Sequence, residues 1–252
     1  MPVRRPPYAS LRALLRRELA LDEDPATSGL IGRLAHIRSR GEFSRREFLA
    51  MCRWKSPRAT LHYRKNSPAR IRMVSRAALA TRSEQQRIEL LTSLSGVSVP
   101  VASAILTLID PARYGVLDIR VWQLLLAVES VTGKPGGRGF SARDWLHYLS
   151  QLRREARHLG APVRAVEYSL FRCHRRWQTG RLYDSPASRR RPAAVERRSD
   201  PGAPRSDSRR RRGRRRARRR DSSVAPRPGS PRSLGPLRRQ GQRSRPAPDR
   251  RA

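Results

Sequence analysis

Every Trp, Tyr and Phe of this 252-residue chain lies within its first 184 residues, and that confinement decides where a packed core can form. The stretch 185–252 offers only Val195, Val224, Leu234 and Leu237 as large apolar side chains. Fixing a backbone costs roughly 1–2 kcal/mol per residue, and apolar burial is the main term that offsets it. Residues 185–252 are therefore expected to form a disordered tail. Residues 1–184 are expected to fold, since a chain of that size buries roughly 70% of its unfolded surface, enough for one core.

Charge divides along the same line. The net charge is +37, and residues 185–252 carry 24 arginines, no lysine and five acids. Within the tail, Arg209 to Arg220 is an almost unbroken arginine run. Such a run neutralises phosphates and releases counterions without reading sequence, so DNA, or RNA through the tail, is the expected partner. Only Lys55, Lys65 and Lys134 are lysines. That bias, with the Ala, Pro and Gly content, looks like GC-rich codon usage, so arginine number alone does not measure selection for binding.

Two cysteines far apart, Cys52 and Cys173, form no disulfide framework or metal motif, and the five histidines make no i, i+4 pair. No metal and no cofactor are expected. No apolar run approaches the roughly 18 residues of a membrane span. A reducing, cytoplasmic setting is expected, nucleoid-associated in a bacterium.

The fold class is expected to be all-α, because apolar residues recur at three- and four-residue steps and no segment sustains alternation. An N-terminal helical segment, 1–42, is read as a helix over Leu11–Leu19, an acidic turn Asp22-Glu23-Asp24-Pro25, and a helix over Leu30–Arg40. A helical domain over 43–184 follows. Ser44 with Glu47 predicts a capping box. Helices are then expected over Ala59–Lys65, Ala69–Ala80, Glu84–Leu94, Val101–Ile109, Ile119–Val131 and Ser141–Leu159. In a last helix Val163, Val166, Leu170, His174 and Trp177 share a face. Gly133 to Gly139 reads as a loop, because its glycine spacing and Pro135 do not suit a phosphate-binding loop.

The most informative segment is Leu91 to Leu125. Leu94-Ser95-Gly96-Val97-Ser98 ends one helix. Val101-Ala102-Ser103-Ala104-Ile105 opens a small-residue-rich second one. Leu117-Asp118-Ile119-Arg120-Val121 puts an aspartate at the start of a third. These runs resemble the helix-hairpin-helix DNA glycosylases of base-excision repair, which include endonuclease III and the adenine and oxoguanine glycosylases. In that superfamily the runs read L-P-G-V-G, T-A-x-x-[IV] and V-D-[TS]-x-V. The resemblance is strongest over these 35 residues, and the helical layout is compatible from Phe43 to Trp177.

The resemblance implies that Gly96, Val97 and Ser98 present backbone N–H groups to a DNA phosphate at a helix N-terminus. It also implies that Asp118 stabilises oxocarbenium character on a deoxyribose whose base has been flipped out. Ser98 stands where the superfamily has its second glycine. Pro100 stands where the lyase branch has its amine, which implies a monofunctional enzyme: an N-glycosidic bond hydrolysed, the backbone left intact. Two cysteines cannot hold the superfamily's iron–sulfur cluster.

Alternatives stay open at each position. Asp118 is also a favoured N-cap and needs no catalytic role to explain it. Arg120 either pairs with Asp118, binds phosphate or forms a surface ion pair. Arg53, Lys55 and Arg58 either line a DNA groove, with Trp54 or Tyr63 stacking on a base, or form a solvated face over a core Trp54. For the whole protein, the alternatives to a glycosylase are a non-catalytic helix-hairpin-helix DNA-binding module and an RNA- or ribosome-associated basic protein.

Overall fold

The computed structural model describes residues 3–182, so the expected tail over 185–252 lies outside the described residues. Among the described residues the fold is all-helical, and β-type pairing is limited to one antiparallel bridge between Val3 and Gln178.

The chain opens with α1 (Leu11–Glu18), capped by Ser10 accepting from the Ala13 amide. The acidic turn that follows separates two helices, as expected, but the second starts within it. Asp24 caps α2 (Pro25–Leu34) through the Thr27 amide, and Pro25 fills the first helical position, where its missing N–H costs nothing. The expected helix over Leu30–Arg40 is therefore two, and α3 (Ile37–Arg40) ends at Gly41 in the left-handed region. The Ser44–Glu47 capping box forms at the start of α4 (Arg45–Lys55). A 3-10 turn (Pro57–Ala59) and the one-turn α5 (Thr60–Tyr63) follow, then α6 (Pro68–Ala80) and α7 (Glu84–Thr92).

Helix α8 (Val99–Ile109) is the centre of the molecule. Every residue from Val101 to Ile109 is buried, as expected for a helix apolar on all sides. It packs against α2, α4 and α7 and against α10 (Ala142–Leu159). Helix α9 (Ile119–Ala127) is shorter than expected, because the chain turns at Glu129, with φ +57, and brings Val131 into the core. Helix α11 (Val163–Trp177) packs on α1, α9 and α10. Leu11, Leu14, Leu15, Leu34 and Ile37 belong to the same hydrophobic cluster as the residues of α8 to α11.

The turn joining α7 to α8 is fixed from outside. Buried Asn66 accepts from the Ser95 amide (2.8 Å) and donates to the Ser95 and Tyr63 carbonyls (each 3.0 Å). Gly96 takes φ +82, and a Cβ there would lie 2.7 Å from the His62 Cβ. Only glycine allows this turn to approach α5 so closely.

We expect Asn66→Ala to leave the half-buried Ser95 amide and carbonyl without their Asn66 partners. The cost should be about 1–3 kcal/mol for each unsatisfied group. Urea unfolding monitored by tryptophan fluorescence reads the change.

Candidate functional site

Four contacts fix the segment that delivers Asp118. The Val116 amide donates to buried Glu167 (3.2 Å), and the Val116 carbonyl accepts from the Tyr148 hydroxyl (2.7 Å). The Leu117 amide donates to the Ser103 hydroxyl (2.9 Å). Gly115 lies so close to α10 and α11 that a Cβ would sit 2.6 Å from Leu152 Cδ1 and 2.9 Å from Glu167 Cβ. The strand-like entry into α9 is thus held on both edges before the aspartate begins.

Asp118 then divides its two oxygens. Oδ1 accepts from the Arg120 amide (2.9 Å), the N-cap bond of α9. Oδ2 accepts from Lys55 Nζ at 2.5 Å. Lys55 is the last residue of α4, 63 positions earlier, so the pair is purely tertiary. The two side chains are 19% and 16% exposed. They line an open cleft of about 290 Å³ with Trp54, Val116, Tyr168 and Phe171.

At the edge of this cleft lies Arg164, a largely buried cation. It donates to Glu23 (2.5 and 3.0 Å) and to Glu167. Its guanidinium carbon lies 5.0 Å from the Tyr168 ring centroid and 5.7 Å from that of Trp54. Arg164 and Tyr168 also border a more apolar groove of about 230 Å³. There the charged groups are already matched, Asp22 with Arg172 and Glu23 with Arg164. The Asp118 cleft is the more polar of the two and places a carboxylate and an amine side by side on its wall, so it is the better candidate for chemistry.

Burial alone would raise the Asp118 carboxyl. The charge and hydrogen bond of Lys55, with the Arg120 amide and charge, outweigh it and hold the group below its ordinary 3.8. Glu167 goes the other way: burial raises it, Asp118 adds to the rise, and Arg164 and the Val116 amide only partly compensate. His174, whose Nε2 lies 3.1 Å from Gln123 Oε1, is lowered to about 4 by burial and by Arg120. At neutral pH the cleft therefore holds an ionised Asp118, and the His174 imidazole, buried in the core, is uncharged.

The other residues singled out in the sequence fall in three places. Gly96 and Ser98 are exposed at the α7–α8 turn and Val97 is buried beneath it. Ser98 is the N-cap position of α8, and its side chain makes no capping bond. The Arg120 guanidinium turns from Asp118 to the Gln178 side chain and lies 5.8 Å from the Phe171 ring, so only its backbone meets the carboxylate. Arg53 and Arg58 are exposed and have no ion-pair partner among the described residues. Tyr63 is fully buried and Trp54 donates to Thr27 (3.1 Å) from a cleft wall, so neither aromatic is offered on the outer face.

Sequence reasoning missed Arg164 and Glu167, which looked like polar positions on a helix flank. Their i, i+3 spacing is the only local sign of the pair. It also passed over a plain signal: no Asp or Glu occurs from Phe48 to Ser83, a stretch with nine Lys and Arg. In the structure that stretch runs from the cleft lysine to the α7–α8 turn, where Arg70 donates to the Ser93 carbonyl (2.9 Å). Of its nine cations, Lys55 and Arg76 have a carboxylate partner among the described residues.

Among the described residues no cluster of three or more His, Cys, Asp or Glu is arranged to hold a metal ion, and no helix is long and apolar enough to cross a membrane. Compared with models of known protein families, with curated proteins and with solved structures, the chain has no match.

Removing the ammonium should move Asp118 upward. In Lys55→Met, carboxyl-carbon NMR should show a higher titration point than in the parent, because the burial penalty is then opposed only by the Arg120 contributions. The sign for stability follows. A carboxyl depressed in the folded state stabilises above the ordinary carboxylate range, and that contribution disappears as pH falls through the depressed value. The Lys55→Met penalty should therefore be larger at pH 7 than at pH 3.

Proposed function

We propose that the protein binds duplex DNA and acts in base excision, with the α7–α8 turn as a helix-hairpin-helix phosphate contact and the Asp118 cleft receiving a flipped nucleotide. The observation that carries this reading is the Asp118 carboxylate itself. It is ionised, bordered by Trp54, Tyr168 and Phe171, and fixed by bonds to both oxygens. Cleaving an N-glycosidic bond sends the bonding pair to the departing base and leaves cation character at C1′. A preorganised carboxylate stabilises that cation and orients the water that adds to it. The aromatic walls suit the flat face of an extruded base. The turn at the start of this eleven-residue helix offers the amides of exposed Gly96 and Ser98 to a phosphate, while the amide of buried Val97 donates to the Leu94 carbonyl (3.0 Å) and is not available, and the acid-free stretch 48–83 lies beside the turn. A cytoplasmic, nucleoid-associated setting belongs to the same proposal.

A second reading rests on Lys55. Pro100 has no amine, but Lys55 Nζ lies 2.5 Å from the carboxylate in the same cleft. An amine there is placed to condense with the aldehyde form of an abasic sugar. In the first reading Lys55 only holds Asp118 ionised and the enzyme is monofunctional.

One set of reactions separates these readings. The full chain is incubated with duplexes carrying a panel of damaged or mismatched bases, and alkali-labile abasic sites are scored. Base release that falls at least about 100-fold in Asp118→Asn, with duplex affinity retained, supports the glycosylase. Binding without release across the panel leaves the non-catalytic DNA-binding module. Borohydride added to the protein on an abasic duplex traps a covalent adduct only if an amine has formed an imine. An adduct lost in Lys55→Met establishes the second reading, and no adduct leaves the first.

A further inference from the structure

Helix α8 ends at Asp110, and the side chain of that residue has no work in the turn it occupies. The Asp110 amide donates to the Leu106 carbonyl (2.8 Å), and the Asp110 carbonyl accepts from the Arg113 and Tyr114 amides (3.1 Å each). Its carboxylate is nevertheless held inside, with the side chain only 10% exposed. Oδ2 stands 3.7 Å from Arg38 Nε, an ion pair too long to be a hydrogen bond. Oδ1 is buried and has no hydrogen-bond partner among the described residues. Buried acceptors nearly always have a donor, so a missing one marks a place that a donor from outside can fill.

Such a place exists. Asp110 lines a cavity of about 190 Å³ that shares no residue with the Asp118 cleft. Leu79, Leu106 and Ile109 give it apolar walls, and Leu106 and Ile109 are buried. Arg38 and Arg113 stand at its rim, with side chains 60% and 56% exposed. Arg113 reaches Glu84 at 3.3 Å through one nitrogen, and Glu84 already takes shorter bonds from Arg87 (2.7 Å) and Arg153 (2.8 Å). Both rim guanidiniums therefore keep N–H groups for an anion. Arg87 does not: its nitrogens are spent on the Ala78 and Thr81 carbonyls, Glu84 and the Tyr114 hydroxyl.

We propose that this cavity binds a nucleoside monophosphate whose base carries an exocyclic amine. The amine donates to Asp110 Oδ1, the base lies against Leu79, Leu106 and Ile109, and the phosphate is held by Arg38 and Arg113. From depth to rim the cavity asks for an N–H donor, an apolar-faced body and an anion, and a nucleotide carries them in that order. A simple anion would leave the aspartate oxygen unmet and be repelled by it. A simple cation would be repelled by two guanidiniums. Adenine, cytosine and guanine each place an amine on the base edge. Uracil sets carbonyl oxygens on both sides of its one N–H, and a carboxylate repels them. The proposal stands apart from duplex binding and base excision, since it uses no residue of the Asp118 cleft.

The test titrates the full chain with AMP, CMP, GMP, UMP and ribose 5-phosphate and follows the Leu106 and Ile109 methyl groups by NMR. These methyls report the cavity itself and not phosphate contacts elsewhere on a basic chain. The three amine-bearing nucleotides should shift them to saturation, with UMP and ribose 5-phosphate at least about tenfold weaker. Asp110→Ala, which leaves the backbone bonds of the turn in place, should remove that discrimination. Arg38→Gln, at an exposed position, should weaken all three nucleotides about fivefold or more and keep their lead over UMP. Methyls that stay unmoved at millimolar nucleotide overturn the proposal. So does equal binding of ribose 5-phosphate, which would show an anion site without base contact. Discrimination that survives Asp110→Ala overturns it as well. If Asp110→Ala does not fold, unchanged affinities in Arg38→Gln are enough to sink it.

Discussion

Glu167 ties the walls of the Asp118 cleft together, and it does so against its own electrostatic interest. Its side chain is almost wholly buried, and burial raises its carboxyl. Yet one of its oxygens takes both the Arg164 guanidinium and the Val116 amide. Through Arg164 it reaches Glu23, ahead of α2. Through Val116 it sets the segment that ends in Asp118. Breaking a buried pair by removing one partner is strongly destabilising, because the survivor is left charged and unsolvated. The cleft carboxylate is therefore precise only while a second carboxylate, itself poorly solvated, keeps its partners.

Two anions this close need separate compensation, and the fold supplies it from different elements. Lys55 at the end of α4 answers Asp118, and Arg164 on α11 answers Glu167. The Arg120 guanidinium serves neither carboxylate directly: two residues after the cleft aspartate, it is half-buried between Gln178 and Phe171. The division leaves Asp118 ionised and His174 uncharged, an arrangement suited to stabilising positive charge rather than to shuttling protons.

What the sequence makes legible follows the range of the interactions that encode it. The Ser44–Glu47 capping box, the buried face of α11 and the entry of Pro100 into α8 are each written within a few residues, and the helices form there. The acidic turn at residues 22–25 shows its charge in the sequence but not its capping role; Asp24 and Pro25 open α2. Nothing local places Lys55 against a carboxylate 63 positions away, so in the sequence it is only one of several cations of a DNA groove or a solvated face. Arg164 and Glu167 were hidden for the same reason. A charged residue on a helix looks solvated until its tertiary partners are known, and here those partners come from α2's entry and the Val116 segment.

The acid-free stretch from Phe48 to Ser83 has a consequence for how the molecule moves. Acids gather elsewhere on the folded part, at Glu18 and Asp22 to Asp24 before α2 and again at Glu84 and Glu89 on α7. Charge spread unevenly over a folded surface carries an electric moment as well as a net charge. Near a long polyanion the moment feels a torque, so the molecule rotates before it touches. Collisions are then biased toward one orientation, and fewer encounters are spent on faces that carry no site.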